Sequence, residues 1–110
     1  VLEPAGATPV VIEDDVFIGA LAGVFEGVCV RARAVLAPGV VLTASTVIHD
    51  LVNEREWRGE IPPGAVVVPG TRPARGSYAE AHGLALGCAV IVKVRDAKTD
   101  AATALESALR

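Results

Sequence analysis

The sequence predicts an all-β fold, a solenoid built from hexapeptide repeats, on the strength of three observations. An apolar residue recurs at every sixth position through seven consecutive repeats. A small or β-branched residue lies two positions before each of them. A period of six fits neither the helical period nor the simple alternation of one long strand. It is typical of solenoids in which each repeat forms a short strand and a corner. The seven apolar positions are Ile12, Ile18, Val24, Val30, Leu36, Leu42 and Ile48.

The repeat itself spans residues 10–48, after an irregular start at residues 1–9 that contains Pro4, Gly6 and Pro9. If three hexapeptides close one triangular turn, residues eighteen apart stack on one another. Each stack points inward, where burial of apolar surface contributes about 25 cal/mol per Å². The predicted stacks are Ile12–Val30–Ile48, Ile18–Leu36 and Val24–Leu42.

A charged run at residues 50–60 interrupts the period, which resumes with Ile61 and Val67. We therefore expect a loop at residues 49–60 that leaves the solenoid and returns to it, a common place for function in such proteins. The single tryptophan, Trp57, lies in this loop. Either the loop packs on something, such as a neighbouring subunit, or it is a solvated surface loop.

The chain beyond the repeats predicts a loop, a strand and a helix. Residues 70–87 are rich in Gly, Arg, Pro and Ala, which is typical of a second long loop. A β-branched run predicts a short buried strand at residues 88–92. A helix is expected at residues 101–110, where Thr99 or Asp100 can act as its N-cap.

These elements divide the chain into a repeat region at residues 1–69 and a C-terminal region at residues 70–110. A length of 110 residues is enough for one domain and too short for two. The chain begins at Val1 rather than Met, inside sequence that already carries structural signals. We therefore expect a fragment of a longer chain.

Composition disfavours several classes of protein. The net charge of −3 argues against binding to nucleic acid or to anionic membranes. The longest stretch without a charge, residues 34–48, is shorter than the ~20 residues that span a bilayer. Cys29 and Cys88 lack the CxxC spacing of a metal or redox site, so they predict two buried, reduced thiols in a cytoplasmic protein.

Several short motifs, in this order along the chain, resemble the tetrahydrodipicolinate N-succinyltransferase family. The repeat motifs are generic one by one, whereas the start, the strand after the repeats and the C-terminal motif are specific in combination. The resemblance covers nearly the whole chain and corresponds to the C-terminal part of that family. The motifs are Val-Leu-Glu-Pro (1–4), Val-Ile-Glu-Asp (11–14), Phe-Ile-Gly-Ala (17–20), Glu-Gly-Val (26–28), Ser-Thr-Val-Ile-His-Asp (45–50), Ile-Pro-Pro-Gly-Ala-Val-Val-Val-Pro-Gly (61–70), Cys-Ala-Val-Ile-Val-Lys (88–93) and Asp-Ala-Lys-Thr (96–99).

The resemblance implies a left-handed parallel β-helix that forms a homotrimer. It implies transfer of a succinyl group from succinyl-CoA, as co-substrate, to the amine of ring-opened tetrahydrodipicolinate in lysine and diaminopimelate biosynthesis. It also implies no metal and no permanently bound cofactor. Two alternatives stay open: another N-acyltransferase of this fold that uses acetyl-CoA, and a non-catalytic solenoid that serves as an assembly subunit.

Amide formation from a thioester needs an unprotonated amine, an aligned carbonyl and stabilisation of the oxyanion. The resemblance implies a catalytic Asp, whose position lies upstream of Val1, and a catalytic Glu, whose position is occupied by Gly23 in this chain. Glu26 is the nearest carboxylate. It is therefore the candidate catalytic residue, and its alternative role is that of a structural corner residue.

Coenzyme A and a dicarboxylate acceptor are both anionic, so the site needs local cations despite the net negative charge. Lys93 and Lys98 match family positions, and residues 93–98 are the expected region for the phosphates of CoA. The backbone at Gly19 and Ala20 is expected to line the groove for pantetheine. The other cations considered are Arg31, Arg33, Arg72, Arg75 and Arg95.

The two histidines are weaker candidates for a general base. His49 lies beside the charged run and His82 lies in the second predicted loop. The resemblance assigns neither of them a role. Two histidines are also too few for the three-histidine zinc site of the carbonic anhydrases that share this solenoid fold.

Overall fold

The computed structural model describes residues 8–96 and 98–109. The predictions for residues 1–7, including the irregular start and the first family motif, lie outside the described residues. Six strands of two residues each begin at intervals of six residues. They are β1 (Val11–Ile12), β2 (Phe17–Ile18), β3 (Gly23–Val24), β4 (Cys29–Val30), β5 (Val35–Leu36) and β6 (Val41–Leu42).

These six strands pair in parallel at the spacing that the repeat predicts. Ile12 pairs with Val30 in one sheet, Ile18 with Leu36 in a second, and Val24 with Leu42 in a third. Each partner lies eighteen residues further along the chain. The predicted stacking of the first two turns is therefore confirmed.

The third turn differs from the prediction, because Ile48 does not stack on Val30. The residue that pairs with Val30 is Ile61, in β9 (Glu60–Ile61). Ile48 instead begins β7 (Ile48–Asp50), which pairs in parallel with a later strand at Ala89. The seven apolar positions are equivalent in sequence, so the repeat pattern does not distinguish Ile48, which belongs to another sheet.

Residues 49–60 form a hairpin rather than the expected loop. β7 turns back into β8 (Arg55–Trp57), and the two strands pair antiparallel with His49 opposite Glu56. The turn between them contains Glu54, whose φ of 53° lies in the left-handed region. The charged side chains that suggested a loop are compatible with strands here because most of them are exposed.

The chain then enters a long antiparallel pair, β10 (Ala65–Pro73) and β11 (Ala85–Val94), with the short helix α1 (Ser77–His82) between them. Residues 70–87, expected as a loop, therefore contain strand and helix. β10 was not expected from the sequence because it contains two prolines, which cannot donate a backbone hydrogen bond to a sheet. Pro69 and Pro73 lie beyond the part of β10 that pairs with β5, where a missing N–H costs least.

The expected boundary between residues 69 and 70 falls inside β10. The strand predicted at residues 88–92 is the central part of β11. The final helix, α2, spans Ala101–Ala108, and Arg110 at the end of the predicted helix lies outside the described residues. None of the helices in the described part of the chain is long and apolar enough to cross a membrane.

The core lies between the second turn of repeats, the β10–β11 pair and α2. Val30, Leu36 and Leu42 are fully buried, and Ala104 and Leu105 of α2 pack against the same cluster. The equivalent residues of the first turn are much more open, with Ile12 41% exposed and Ile18 44% exposed. The first turn is thus the uncovered end of the stack.

Candidate functional site

The C-terminal family motif forms a hydrogen-bonded turn around Asp96. Its Oδ1 accepts hydrogen bonds from Lys98 N at 2.9 Å, Thr99 N at 2.8 Å and Thr99 Oγ1 at 2.7 Å. These bonds favour the charged carboxylate, so they hold the pKa of Asp96 below its usual value, with the Thr99 hydroxyl contributing most. The turn fixes the backbone that carries Lys98. Ala97 lies outside the described residues.

The next carboxylate, Asp100, starts α2. Its side chain accepts a hydrogen bond from Thr103 N at 2.7 Å, the geometry of a helix N-cap. The bonds from Thr103, first from its backbone and then from its side chain, lower the pKa of Asp100. The prediction that Asp100 or Thr99 caps this helix is confirmed for Asp100.

A cleft of about 480 Å³ lies between this segment and the corner before β2. We call it the α2 cleft and define it by its cations, Arg33, Arg95 and Lys98, together with Asp15 and Asp100. Two of the cations are anchored by backbone oxygens. Arg33 Nη2 donates to Asp96 O at 2.9 Å, and Arg95 Nη2 donates to Asp15 O at 3.1 Å. The cleft therefore holds three cations on a rigid frame, with Asp100 already engaged as the cap.

Arg95 is the most buried of these cations, at 9% exposure. Its Nε is buried and has no hydrogen-bond partner among the residues that the structure describes. An unpaired buried N–H of this kind is uncommon in folded proteins, and it belongs to a residue that lines the α2 cleft beside two further cations. The α2 cleft is thus suited to an anion.

The structure brings together only part of the predicted CoA region. Lys98 lines the α2 cleft, whereas Lys93, on β11, is not among its lining residues. Arg33 and Arg95, which were considered only as further cations, lie with Lys98 instead. No spacing in the sequence places Arg33 beside Lys98, because a turn of the repeat and the whole β10–β11 pair separate them.

Gly19 and Ala20 have structural duties of their own. A Cβ on Gly19 would lie 2.5 Å from Pro38 N, so the close approach of the next turn requires glycine here. Gly19 N donates to Leu36 O at 2.8 Å, and Ala20 O accepts from Gly39 N at 3.1 Å. Their role in a pantetheine groove stays a prediction.

Gly23 and Glu26 lie on the first turn of repeats. Gly23 is in β3, where a Cβ would lie 3.3 Å from the ring of Phe25, so a larger residue requires that exposed ring to move. Glu26 is exposed and makes no hydrogen bond or ion pair with any described residue. A catalytic role for Glu26 stays a prediction, and the geometry of one chain gives it no second group to act with.

Arg31 is removed from the candidate anion ligands because two carboxylates already neutralise it. Its guanidinium lies 3.1 Å from Glu13 Oε2 and 3.1 Å from Glu60 Oε2. The hydrogen bond that Arg31 donates to Glu60, followed by the one it donates to Glu13, raises the pKa of Arg31. The eighteen-residue spacing of Glu13 and Arg31 was the sequence signal for half of this network.

The two histidines lie in different surroundings. His82, in α1, packs its ring 4.2 Å from the ring of Tyr78 and is exposed. His49, in β7, lies in a second cleft together with arginines. Among residues 8–96 and 98–109 there is no cluster of three His, Cys, Asp or Glu side chains that could hold a metal ion. The expectation of a metal-free protein stays a prediction.

The chain is similar to known proteins in two comparisons. A model described as "Hexapeptide repeat of succinyl-transferase" matches residues 9–44. The 2,3,4,5-tetrahydropyridine-2,6-dicarboxylate N-succinyltransferase of Rhodopseudomonas palustris strain TIE-1 is 52% identical over 110 residues, which are all of this chain and 39% of that protein. The chain is therefore similar over its whole length to the C-terminal part of hexapeptide-repeat succinyltransferases. The expected resemblance is confirmed.

Other relatives match this chain over the same extent. The N-succinyltransferase of Aromatoleum aromaticum is 49% identical over 111 residues, all of this chain and 38% of that protein. Protein TabB of Pseudomonas amygdali pv. tabaci is also 49% identical, again over the whole chain and 38% of its own length. The chain thus spans about two fifths of the length of the curated relatives it matches. Equal identity to relatives with different names leaves the acyl acceptor to experiment.

Proposed function

We propose that the protein containing this chain transfers a succinyl group from succinyl-CoA to the amine of ring-opened tetrahydrodipicolinate, in lysine and diaminopimelate biosynthesis. The observation that carries this proposal is the match of the entire chain, at 52% identity, to the 2,3,4,5-tetrahydropyridine-2,6-dicarboxylate N-succinyltransferase of Rhodopseudomonas palustris. The α2 cleft supports it, since a cationic cleft suits the phosphates of an acyl-CoA.

The proposed architecture is a left-handed parallel β-helix that assembles as a cytoplasmic homotrimer. The eighteen-residue register of three separate parallel strand pairs supports a coil of three hexapeptides per turn. The homotrimer is proposed from the similarity to hexapeptide-repeat succinyltransferases. Free Cys29 and Cys88 fit a reducing compartment.

The proposed reaction forms one bond and breaks another. The acceptor nitrogen attacks the thioester carbonyl carbon, the C–N bond forms, the C–S bond breaks, and coenzyme A leaves as its thiol with the proton lost by the amine. Holding both substrates in line can supply about 7–11 kcal/mol of the barrier reduction. We assign the proton-accepting role to a carboxylate and an orienting role to Glu26.

The phosphates of CoA are proposed to bind in the α2 cleft. Lys98, Arg33 and Arg95 line this cleft. Lys93 and the Gly19–Ala20 backbone are retained as proposed contacts further along the same co-substrate. Because Arg33 is already held by Asp96 O, it binds an anion with little loss of side-chain entropy.

The first experiment measures thiol release by the full-length protein, with succinyl-CoA and acetyl-CoA in parallel and 2-aminopimelate as a stable acceptor. Acceptor-dependent release with succinyl-CoA supports the proposal. Release with acetyl-CoA alone keeps the N-acyltransferase and changes the donor. No release with either, from a folded trimer, favours the non-catalytic assembly subunit, the alternative that Gly23 supports.

The α2 cleft is tested by charge removal. Lys98→Gln and Arg33→Gln are expected to raise KM for succinyl-CoA about five- to tenfold each, with a smaller effect on kcat, because a charge-assisted phosphate contact contributes to binding in ground state and transition state alike. The KM of Lys93→Gln for succinyl-CoA tests whether the predicted CoA-phosphate region extends along β11. Arg55→Gln, on an exposed strand of the hairpin, is the matched control. An unchanged KM in both cleft variants refutes the assignment.

A further inference from the structure

A second cleft, of about 590 Å³, lies between the β7–β8 hairpin and the end of β10. We call it the hairpin cleft. It is lined by one carboxylate, one imidazole and three guanidinium groups. These are Glu56, His49, Arg58, Arg72 and Arg75.

Sheet register explains why these distant residues share one face. His49 pairs with Glu56 on one side and with Val90 on the other, and Val90 in turn pairs with Val68 of β10. Arg72 lies four residues beyond Val68, so its side chain emerges on the same face of the sheet. These paired residues form a row across β8, β7, β11 and β10. The hairpin thereby places Glu56 and Arg58 near the end of β10.

Gly70, between Val68 and Arg72 on this face, leaves room for the side chain of Val90. A Cβ at position 70 would lie 2.6 Å from Val90 Cγ2 and 3.6 Å from Cys88 Sγ, so no larger side chain fits there without displacement. The glycine has no positive φ to explain it. Its smallness therefore serves packing on the face that carries the cleft.

The arginines of the hairpin cleft differ from the other described arginines. Arg31, Arg33 and Arg95 each donate to an oxygen, and Arg55 stacks 3.8 Å from the centre of the Trp57 ring. Arg58, Arg72 and Arg75 make no hydrogen bond or ion pair with any residue that the structure describes. The three guanidinium groups that lack a partner are the three that converge on one cleft.

This convergence concentrates positive charge. With His49 neutral, the three arginines and Glu56 give the cleft a formal charge of +2, in a chain whose net charge is −3. Like charges held together repel one another, and an anion between them removes that repulsion. A guanidinium also presents two parallel N–H donors that match a phosphate or a carboxylate.

We propose that the hairpin cleft binds a small, multiply charged anion bearing phosphate or carboxylate groups, with Arg72 and Arg75 as its main ligands and Arg58 closing the cleft from the hairpin. This site is distinct from the α2 cleft, which has its own cations and a separate lining. Binding here requires no turnover, so the proposal stands or falls independently of the proposed acyl transfer.

The test is isothermal titration of the full-length protein at low ionic strength with two probes, inorganic pyrophosphate and glutarate. We expect saturable binding of at least one of them that weakens as salt is raised. Tighter binding of pyrophosphate assigns the site to phosphate-bearing ligands, and tighter binding of glutarate assigns it to dicarboxylates. Absence of saturable binding by both probes overturns the proposal.

Variants then locate the site. Arg72→Gln and Arg75→Gln are each expected to weaken binding about fivefold or more, while Arg55→Gln in the same hairpin removes the same charge and leaves binding within twofold of the wild type. Lys98→Gln separates the hairpin cleft from the α2 cleft and is expected to have no effect. Equal loss in Arg55→Gln, or none in Arg72→Gln and Arg75→Gln, contradicts the assignment. Arg58→Gln, at an exposed position, takes the place of the Arg72 or the Arg75 variant if circular dichroism shows that either one is misfolded.

Discussion

Among single residues, Asp50 has the strongest case for a structural role. It is 2% exposed and accepts four hydrogen bonds, from Val52 N, Asn53 N, Asn53 Nδ2 and Trp57 Nε1. Burial by itself raises the pKa of Asp50, but the bonds from Asn53 and Trp57 outweigh it, and the pKa lies below its ordinary value of 3.8. The hairpin that replaces the expected loop is organised around this carboxylate.

We predict that Asp50→Ala lowers the free energy of unfolding by about 2–3 kcal/mol, because buried donors lose their acceptor. The stabilisation is fully present above the unfolded pKa near 3.8 and is lost as pH falls through the lower folded pKa. Urea unfolding of the full-length protein at pH 7 and pH 3 measures both effects. Asp14→Ala, an exposed carboxylate, is the control. Equal stability of Asp50→Ala and Asp14→Ala at pH 7 would contradict the role.

The packing role of Gly19 can be tested separately from its predicted role in the pantetheine groove. We predict that Gly19→Ala destabilises the protein by about 1–3 kcal/mol, since its Cβ would clash with Pro38 N and the carbonyl carbon of Ala37. Gly87→Ala is the matched control, because no atom lies within 4 Å of a Cβ there. Thermal unfolding measures stability, and KM for succinyl-CoA at a temperature where both variants are folded measures binding. A fully stable Gly19→Ala variant would show that the turns are not packed this closely.

At the scale of elements, the sequence predicted those whose signal is local and repeated. β1 to β6 follow from the period of six, and α2 follows from its Ala- and Leu-rich composition and Asp100. The hairpin and β10 were missed because their strands are specified by tertiary pairing. His49 and Glu56 meet only once β11 supports β7, and the prolines of β10 argue against a strand unless its edge is known to be free.

The same distinction applies to the candidate site. Lys98 could be selected because its motif lies within four residues, whereas Arg33 and Arg95 reach it only through folding. Arg58 is not among the cations that the sequence selects, because the charged run predicts a single loop that is either solvated or faces a subunit. In each case the missing information was which strand lies next to which, and sequence spacing does not contain it.

The cap of α2 is an element-scale feature that presents Lys98. We predict that Asp100→Ala lowers Tm by about 2–4 °C, because Thr103 N loses its acceptor, while Asp100→Asn keeps the cap and stays close to the wild type. Differential scanning calorimetry of the full-length protein compares the three. If Asp100→Asn and Asp100→Ala lose the same amount, charge rather than the hydrogen bond sustains the helix start.

For the whole molecule, the contrast between the two turns of repeats is the main feature. The inward residues of the second turn are fully buried and β4 and β5 pair on both sides, whereas among the described residues β1, β2, β3 and β6 each pair on one side only. The exposed apolar residues of the first turn therefore coincide with unpaired strand edges. They are Val11, Ile12, Phe17, Ile18 and Leu21.

An apolar face with free strand edges pairs readily with another copy of itself, so we predict that the 110-residue chain in isolation self-associates and is poorly soluble. Sedimentation velocity at increasing concentration measures this. Ile18→Lys is expected to reduce association because it places a charge on the open face, whereas Leu51→Lys, at an exposed position in the hairpin turn, is expected to leave it unchanged. A single monomer boundary at every concentration would mean that the first turn tolerates exposure, and the uncovered end would then need no further coil to stabilise it.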